Sequence, residues 1–386
     1  MDPFENPFSP GAGTRPPALV GRDRLIDSYS ISLRRARDGR PGKSLMPIGL
    51  RGVGKTVLLN RFQEIAQETG FATGFIEAPE TGNFKAMLAA RLRTILLELD
   101  RGTVSSAVKR ALGVLRSFSY QLPDGTRISL DVDAIAGAAD SGVLADDVTD
   151  LLVASGEASR DRDRGLLLAI DELQYLGVEE LGALIGAIHR TGQLGLPVVL
   201  VGGGLPQLPG LAGDAKSYAE RLFEFPELGS LEDDDARALL AVPADAQGVR
   251  FDAAALDAVV GLAKGYPYFL QEWGYHVWNA APRSPISLDD VISAKPDVED
   301  QLDENFFRVR MDRLTDLEKR YLLAMAELGP GPHRSGDIAA QLRVKVESVA
   351  PRRSGLIRKG MLYSPAHGDT AFTVPMFDEF LRRSGG

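Results

Sequence analysis

Residues 45–59 of the chain read LMPIGLRGVGKTVLL. Within this stretch, residues 49–56 match the pattern G-x-x-x-x-G-K-[ST] in full. Glycines at these positions let the backbone wrap tightly, so that several N–H groups point towards one anion. A helix that begins at Lys55 or Thr56 would turn its positive end to the same anion. The stretch therefore predicts a loop that binds phosphate groups.

The residues on either side of this phosphate loop predict the strand and the helix that the pattern requires. Residues 44–48 form a short apolar run, and apolar residues recur at helical spacing over 58–66. The predicted ligand is a nucleoside triphosphate, with Lys55 on its outer phosphates and the Thr56 hydroxyl on Mg²⁺. The residues predicted to line the nucleotide here are Gly49, Leu50, Arg51, Gly52, Val53, Gly54, Lys55, Thr56 and Val57.

Composition limits the classes of protein to which the chain can belong. With 386 residues it can hold two or three domains, and 44% hydrophobic with 25% charged residues is ordinary for a globular protein. The absence of cysteine excludes disulfides, thiolate metal sites and a cysteine nucleophile. The net charge of −9 argues against a chain coated in nucleic acid. Because there is no membrane-length apolar run or signal-like N-terminus, we expect a cytoplasmic protein without a membrane partner.

A second candidate motif is the apolar run 166–170, LLLAI, which leads into Asp171 and Glu172. A short run that is apolar on both faces suits a central parallel strand. An aspartate at the end of such a strand can hold Mg²⁺ beside Thr56, and the next glutamate can orient or deprotonate an attacking water. An apolar run that ends in Asp-Glu is common, so it is weak evidence on its own. Its occurrence together with the phosphate loop makes it strong evidence for these two roles.

The order of the elements predicts four segments. Residues 1–18 are rich in proline and predict an extended arm. Strands alternate with helices over 19–228, which predicts a parallel, three-layer α/β domain. Residues 229–312 predict a helical segment. Residues 313–386 predict a helix-turn-helix with a two-stranded wing, because two short helices precede two short apolar runs.

Residues 101–164 interrupt the α/β pattern and are interpreted as an insertion. The runs 117–121 and 128–132 flank the turn signal PDGT, which predicts a β-hairpin. A helix is predicted over 144–154, before a charged loop. The insertion is either a surface that contacts a partner or added bulk.

With these motifs in place, the chain resembles the AAA+ and STAND superfamily of P-loop ATPases, near the origin-recognition-type AAA+ group. The resemblance covers nearly the whole chain. Residues 49–56 look like its first Walker motif, and Asp171 with Glu172 look like the second. The resemblance implies ATP and Mg²⁺ as ligands, a helical lid over 229–312 and a C-terminal winged helix.

Further positions take their roles from the same resemblance. Val20, Gly21 and Arg22 match the element ahead of the loop, which implies contacts near the adenine. Arg221 stands where many AAA+ proteins carry an arginine that acts on the γ-phosphate of a neighbouring subunit; otherwise it is a surface arginine before a strand. Pro267 ends the sequence GYP, which resembles the G-x-P element whose proline touches nucleotide in STAND lids, or else marks a helix break.

Two features depart from the family pattern. The strand that ends in Gly202, Gly203 and Gly204 lacks the polar sensor side chain that is usual there. The lid has no arginine in the usual second-sensor setting. Both departures imply slow hydrolysis and a switch-like protein, not a processive motor.

The C-terminal segment is basic, although the whole chain is acidic. Residues 314–386 hold 11 Lys and Arg against 8 Asp and Glu. In a helix-turn-helix the second helix enters the major groove, so basic residues there are predicted to meet the phosphates of duplex DNA. The basic residues in the turn and on this helix are Arg343, Lys345, Arg352, Arg353, Arg358 and Lys359. Pro351 and Gly355 weaken the helix, and the alternative is a module that packs on the lid or binds protein.

Two classes of function stay open from the sequence. The first is an ATP-dependent switch that couples nucleotide state to the winged helix and is associated with DNA, as a homo-oligomer or with a protein partner. The second is a scaffold that binds nucleotide for structure and uses the winged helix to bind protein. Glu172 favours the first class. A small-molecule kinase fits less well, because the lid and the C-terminal module would have no purpose.

Overall fold

The structure of the chain, a computed structural model, describes residues 1–11, 13, 16, 18–40, 42–80, 82–100, 105–120, 122 and 132–384. Contacts divide the chain into two units. The α/β unit comprises Asp23–Ile48 and Leu58–Glu227, and the helical unit comprises Met1–Arg22, Gly49–Val57 and Leu228–Gly386. This division differs from the predicted domain boundaries chiefly because it groups the phosphate loop with the C-terminal helices.

A parallel sheet forms the centre of the α/β unit. The strands along this part of the chain are β1 (Ser44–Leu45), β2 (Ile48–Gly49), β3 (Phe71–Glu77), β4 (Gly165–Asp171), β5 (Val198–Gly202), β6 (Phe223–Glu224) and β7 (Glu227–Leu228). Three of them lie in the order β3-β4-β5, with Phe71 opposite Gly165 and Leu166 opposite Val198. Every residue of β4 is buried, as expected for a parallel strand covered on both faces. The predicted parallel α/β core is confirmed.

Helices lie before and between the strands of this part of the chain. They are α1 (Asp23–Arg37), α2 (Lys55–Glu68), α3 (Phe84–Leu99), α4 (Ser106–Ser119), α5 (Leu144–Asp161), α6 (Val178–Gln193), α7 (Leu208–Ala215) and α8 (Ala219–Leu222). Tyr29 of α1 stacks on Phe62 of α2, with ring centroids 4.1 Å apart. Both side chains are fully buried, so this pair fixes α1 against α2.

The predicted hairpin in the insertion is wrong in its first strand, because α4 runs through Ser117–Ser119. Val108, Leu112 and Leu115 recur at helical spacing and are buried, so the apolar period of the helix prevails. Residues 121 and 123–131, which include the turn and nearly all of the second strand, lie outside the described part of the chain. The later helix, α5, is longer than predicted. Its Leu151 and Leu152 are fully buried in the core that also contains β4.

The helical unit has its own apolar core. Its elements after β7 are α9 (Asp233–Ala246), α10 (Ala253–Ala263), α11 (Pro267–Ala280), α12 (Leu288–Gln301), a π-helical turn (Leu302–Arg308), α13 (Val309–Met311), α14 (Asp316–Glu327), β8 (His333–Arg334), α15 (Ser335–Leu342), α16 (Val346–Arg358), β9 (Leu362–Tyr363), β10 (Asp369–Phe372) and α17 (Phe377–Ser384). The three strands form an antiparallel sheet in the order β8-β10-β9. The helices α15 and α16 and this three-stranded sheet therefore lie at the residues for which the sequence predicts a winged helix. The winged-helix assignment stays a prediction.

The N-terminal arm packs on the helical unit through one aromatic side chain. Phe8 is buried and meets the edge of Trp278, with ring centroids 6.4 Å apart. A side chain at Gly274 would collide with the Phe8 ring, so the glycine makes room for it. Phe4, by contrast, is 99% exposed. Within the described residues, every helix is too short or too polar to cross a lipid bilayer.

Candidate functional site

The phosphate loop has the backbone that its sequence predicts. Gly49 ends β2, and α2 begins at Lys55. Gly52 and Gly54 have φ angles of +87° and +91°, in the left-handed region that favours glycine. A Cβ atom at Gly49 would lie 2.3 Å from the carbonyl oxygen of Leu228, so only glycine fits there. The glycines of the pattern are thus required by the shape of the loop.

Lys55 turns its side chain back onto its own loop. It is only 6% exposed, and its Nζ donates hydrogen bonds to the carbonyl oxygens of Gly49 at 3.0 Å and Leu50 at 2.9 Å. A buried ammonium group requires such acceptors. The phosphate oxygens of a nucleotide are stronger acceptors than these neutral carbonyls, because they carry charge. The loop with its lysine therefore fits a phosphate ligand.

The predicted lid contacts the loop at the start of α11. Tyr266 is the N-cap residue of this helix and Pro267 is its first residue. The backbone N–H of Tyr268 donates to the Gly52 carbonyl oxygen at 3.1 Å. A Cβ atom at Gly52 would lie 3.1 Å from Cβ of Tyr268, so the two backbones approach closely. Pro267 thus lies next to a residue that touches the loop, and its contact with nucleotide stays a prediction.

A contact that the sequence did not indicate joins the loop to the C-terminal segment. The backbone N–H of Arg51 donates to the carbonyl oxygen of Thr373 at 2.9 Å. Thr373 follows β10 and is itself fully buried, with its hydroxyl bonded to the Gly360 carbonyl oxygen at 2.6 Å. The two elements that the sequence assigned to separate domains therefore share a hydrogen bond.

The element ahead of the loop is fixed to the start of α9. Gly21 has a φ of +70°, and a Cβ atom there would lie 2.6 Å from a carboxylate oxygen of Asp235. The Arg22 guanidinium donates to the Gly229 carbonyl oxygen at 3.1 Å. Burial lowers the pKa of Arg22, and Asp235 opposes that effect. Val20 is half-buried beside these residues, and the contact of this element with adenine stays a prediction.

The acidic pair belongs to the α/β unit. Asp171 ends β4 and is 3% exposed. Its Oδ1 atom accepts a hydrogen bond from the Glu172 N–H at 2.8 Å, and Glu172 has a left-handed φ of 55°. This conformation is unfavourable for a glutamate and turns the chain sharply after the strand. Because Thr56 and Asp171 belong to different units, their joint role in holding Mg²⁺ stays a prediction.

The glycines after β5 have a packing reason. A Cβ atom at Gly203 would lie 2.7 Å from Oδ1 of Asp171, and one at Gly202 would lie 2.2 Å from the Leu173 side chain. A larger residue at Gly203 would therefore push into the Asp171 carboxylate. The close approach of this turn to the acidic pair therefore leaves no room for a side chain at either glycine.

Gln174 is a polar residue of this region that the sequence did not single out. Its Nε2 donates to the Glu172 carboxylate, and its Oε1 accepts from the Leu205 N–H at 3.0 Å. Gln174 therefore ties Glu172 to the loop after β5. The sequence signal was only a glutamine two residues beyond the acidic pair, which is too common to suggest a role.

Arg221 lies in the short helix α8 with its side chain exposed. It lines a cavity of about 390 Å³ together with Lys43 and His189. The Lys43 Nζ donates to the Glu220 carbonyl oxygen at 3.1 Å, which places a second cation beside Arg221. The action of Arg221 on a neighbouring subunit stays a prediction.

The predicted DNA-contacting residues divide into two groups. The Arg353 guanidinium donates to the hydroxyls of Thr370 at 2.8 Å and Ser364 at 2.7 Å, and to the Asp369 carbonyl oxygen at 2.9 Å. Lys359 pairs with Glu318 at 2.7 Å. Both side chains therefore hold the segment together, and their contact with phosphates stays a prediction. The exposed basic residues that remain are Arg343, Lys345 and Arg358, with Arg352 half-buried.

We predict that Arg353→Ala lowers the free energy of unfolding of the helical unit by about 2 kcal/mol, because three hydrogen bonds to a partly buried charged group are lost. Arg358→Ala removes an exposed arginine of the same helix and is the matched control, with an expected change within about 0.5 kcal/mol. Urea denaturation followed by circular dichroism measures both. Equal stability of the two variants would show that Arg353 does not support this segment.

Two parts of the chain match known protein families. Residues 18–201 match the family described as AAA ATPase domain, and residues 304–381 match a domain of unknown function (DUF8462). The phosphate loop, the parallel sheet and the first match together support a P-loop fold of the AAA+ type. The first match spans just under half of the chain and is a similarity to the AAA ATPase domain family. The AAA+ resemblance seen in the sequence is thereby confirmed, and this fold indicates nucleotide binding.

Three solved structures are similar to the chain, and the first of them has the same fold. The Walker-type ATPase PABY2304 of Pyrococcus abyssi superposes with a TM-score of 0.59 at 14% identity, covering 96% of this chain and 97% of that one. The RuvB Holliday junction branch migration motor of Thermotoga maritima gives 0.48 at 16% identity, over 96% and 99% of the two chains. The Orc1 protein of Aeropyrum pernix, solved in complex with DNA, gives 0.49 at 17% identity, over 96% and 94%. No curated protein matches the chain in sequence.

Proposed function

We propose that this protein binds ATP with Mg²⁺, hydrolyses it slowly, and couples its nucleotide state to the C-terminal segment. In this proposal Lys55 binds the outer phosphates, Thr56 and Asp171 hold Mg²⁺, and Glu172 accepts the proton of the attacking water. The ion supplies charge neutralisation on the phosphates. The residues around the loop supply binding and orientation.

The observation that carries the proposed coupling is the hydrogen bond from the Arg51 N–H to the Thr373 carbonyl oxygen at 2.9 Å. Arg51 lies within the phosphate loop, whereas Thr373 follows the last strand of the C-terminal sheet. A shift of the loop on binding nucleotide changes the geometry of this bond, and a hydrogen bond weakens steeply as its geometry departs from linear. Nucleotide state is thereby linked to the position of the C-terminal segment.

Slow turnover follows from the acidic pair. The Gln174 amide donates a hydrogen bond to the Glu172 carboxylate and so occupies one of its oxygens. The carboxylate must also leave this partner, or carry it along, in order to approach a water molecule. The same bond favours the second candidate, a nucleotide-binding scaffold for a protein partner without significant turnover.

Two further roles extend this proposal. Arg221 acts on the nucleotide of a neighbouring copy in a homo-oligomer, which its exposed position on α8 permits. The exposed residues Arg343, Lys345 and Arg358 give the C-terminal segment weak, salt-sensitive contacts with duplex DNA. Only these three exposed cations, which have no ion pair among the described residues, support the DNA contact, so it is the lesser of the two roles.

Amide hydrogen exchange tests the coupling. We expect a non-hydrolysable ATP analogue with Mg²⁺ to slow exchange over residues 49–57 and to change exchange over 369–374 at the same time. Residues 288–301, which form α12, serve as the internal control and are expected to stay unchanged. Lys55→Ala is expected to abolish both effects. Protection of the phosphate loop without any change over 369–374 would contradict the coupling and leave nucleotide binding intact.

A further inference from the structure

A stack of three side chains leads from the phosphate loop to Arg310. Tyr268, whose N–H bonds to Gly52, stacks on Phe306 with ring centroids 4.6 Å apart and planes 23° apart. The guanidinium carbon of Arg310 lies 4.1 Å from the centroid of the Phe306 ring. Cation–π contact of this kind holds an arginine in one place. Arg310 is therefore fixed within two side chains of the loop.

The helix around this stack has an unusual form. Leu302–Arg308 is a π-helical turn, in which Phe306 and Phe307 are both buried. A π-helical turn contains an extra residue, so it rotates the residues after it by about 100° relative to a continuous α-helix. Such turns are rare and often occur at functional sites. Here the turn immediately precedes Arg310.

Two positive side chains, those of Arg51 and Arg313, act on Arg310. Burial, reinforced by Arg51 and Arg313, lowers the pKa of Arg310 to about 10. One of its guanidinium nitrogens donates to the Phe306 carbonyl oxygen. Among the residues that the structure describes, no carboxylate forms an ion pair with Arg310. The Glu272 carboxylate accepts a hydrogen bond from the Tyr268 hydroxyl at 2.6 Å.

This arrangement is costly unless an anion is supplied. A half-buried cation beside two other cations loses hydration and gains repulsion. A guanidinium presents a planar set of N–H donors that matches a phosphate group in bidentate fashion. The arginine cluster, defined here as Arg51, Arg310 and Arg313, thus has the charge and the donors of a phosphate site, and one member belongs to the phosphate loop.

We propose that the arginine cluster binds one phosphate group, with Arg310 as its principal ligand. The phosphate comes either from the end of a bound ATP or from free inorganic phosphate, such as the product of hydrolysis. The first source rests on the proposed function, whereas the second does not. Binding of phosphate to the arginine cluster affects the phosphate loop through Arg51 and through the stacked side chains of Phe306 and Tyr268.

Two titrations on the full-length protein distinguish the sources. In the first, wild type and Arg310→Ala are titrated with ATP and with ADP in the presence of Mg²⁺. If the phosphate is that of ATP, the variant loses about tenfold or more in ATP affinity and keeps its ADP affinity within about twofold. In the second, inorganic phosphate is titrated into nucleotide-free and ADP-bound protein. If the phosphate is free, its binding weakens by a similar factor in the variant.

Two further variants complete the test. Arg310→Lys keeps the charge and the cation–π contact but loses bidentate donation, so it is expected to fall between wild type and alanine. It also supplies a result if Arg310→Ala fails to fold. Arg308→Ala removes the arginine that ends the π-helical turn and contacts Glu304 at 3.9 Å, and this variant is expected to bind as wild type. Binding of ATP, ADP and phosphate by Arg310→Ala and Arg310→Lys at wild-type affinity would overturn the proposal.

The failure of this proposal differs from that of the proposed function. If wild type binds ATP and both Arg310 variants behave as wild type, the phosphate site is refuted and the nucleotide assignment stands. If wild type binds no nucleotide, the proposed function is refuted. In that case the titration with inorganic phosphate alone tests the phosphate site. Phosphate binding that depends on Arg310 supports the site, and absence of such binding overturns the proposal.

Discussion

Replacing Lys55 by alanine is expected to weaken ATP binding by about 100-fold or more, since a buried ammonium group that can contact the outer phosphates is removed. The structure places this group on the carbonyl oxygens of Gly49 and Leu50, within the loop itself. The variant leaves those two oxygens without the amine, so its fold should be checked by thermal denaturation. Isothermal titration calorimetry with ATP and Mg²⁺ measures the effect.

The control for this variant is Lys295→Ala. Lys295 lies on α12, is about half exposed, and contacts Glu299 at 3.8 Å across one helical turn. Its loss changes the net charge of the chain by the same amount, and exposed pairs of this kind contribute little. Unchanged affinity is therefore expected. If Lys55→Ala binds ATP as tightly as Lys295→Ala, the assignment of the loop as the nucleotide site is wrong.

The second large effect is expected for Glu172→Gln. Glutamine keeps the size of the side chain and can still accept the hydrogen bond from Gln174, but it cannot take a proton from water. We expect ATP binding to be retained and hydrolysis to slow by about 100-fold or more. Release of phosphate under steady-state conditions measures the rate, and calorimetry measures the binding.

Glu179→Gln is the matched control for Glu172→Gln. Glu179 is an exposed carboxylate in the first turn of α6, seven residues further along the chain. The same chemical change at this position should leave hydrolysis unaltered. Equal rates in the two variants would exclude Glu172 as the base and would favour the scaffold function.

The sequence predicted those parts of the structure that depend on local patterns. The strand β4 was predictable because a short run that is apolar on both faces occurs in buried parallel strands. The phosphate loop was predictable because its glycines at 52 and 54 adopt φ angles that other residues rarely adopt. Each pattern is formed by residues that lie close together in the chain. They identified the AAA+ class before any contact was known.

Contacts between distant backbone atoms left no signal in the sequence. The bond from Arg51 to Thr373 joins an N–H to a carbonyl oxygen, groups that almost any residue possesses. The same holds for the bond from Tyr268 to Gly52. The grouping of the loop with the C-terminal helices was therefore not predictable from residue types.

Two patterns in the sequence are each compatible with more than one structure. The turn signal at 123–126 suggested a hairpin, although buried residues at helical spacing precede it in α4. Arg353 was predicted to meet DNA phosphates because it is a basic residue on the second helix of a predicted helix-turn-helix. Its guanidinium instead bonds to Thr370, Ser364 and Asp369. A single sequence does not show which of its charges are used internally.

The most direct test of the central claim is a single-turnover experiment, with the protein in excess over radiolabelled ATP and with Mg²⁺ present. We expect wild type to convert ATP to ADP slowly but completely. Glu172→Gln is expected to bind ATP and leave it intact, and Lys55→Ala is expected neither to bind nor to hydrolyse ATP. Tightly bound ATP that wild type leaves unhydrolysed would contradict a hydrolytic switch and leave the scaffold function. Absence of ATP binding by wild type would contradict the account as a whole.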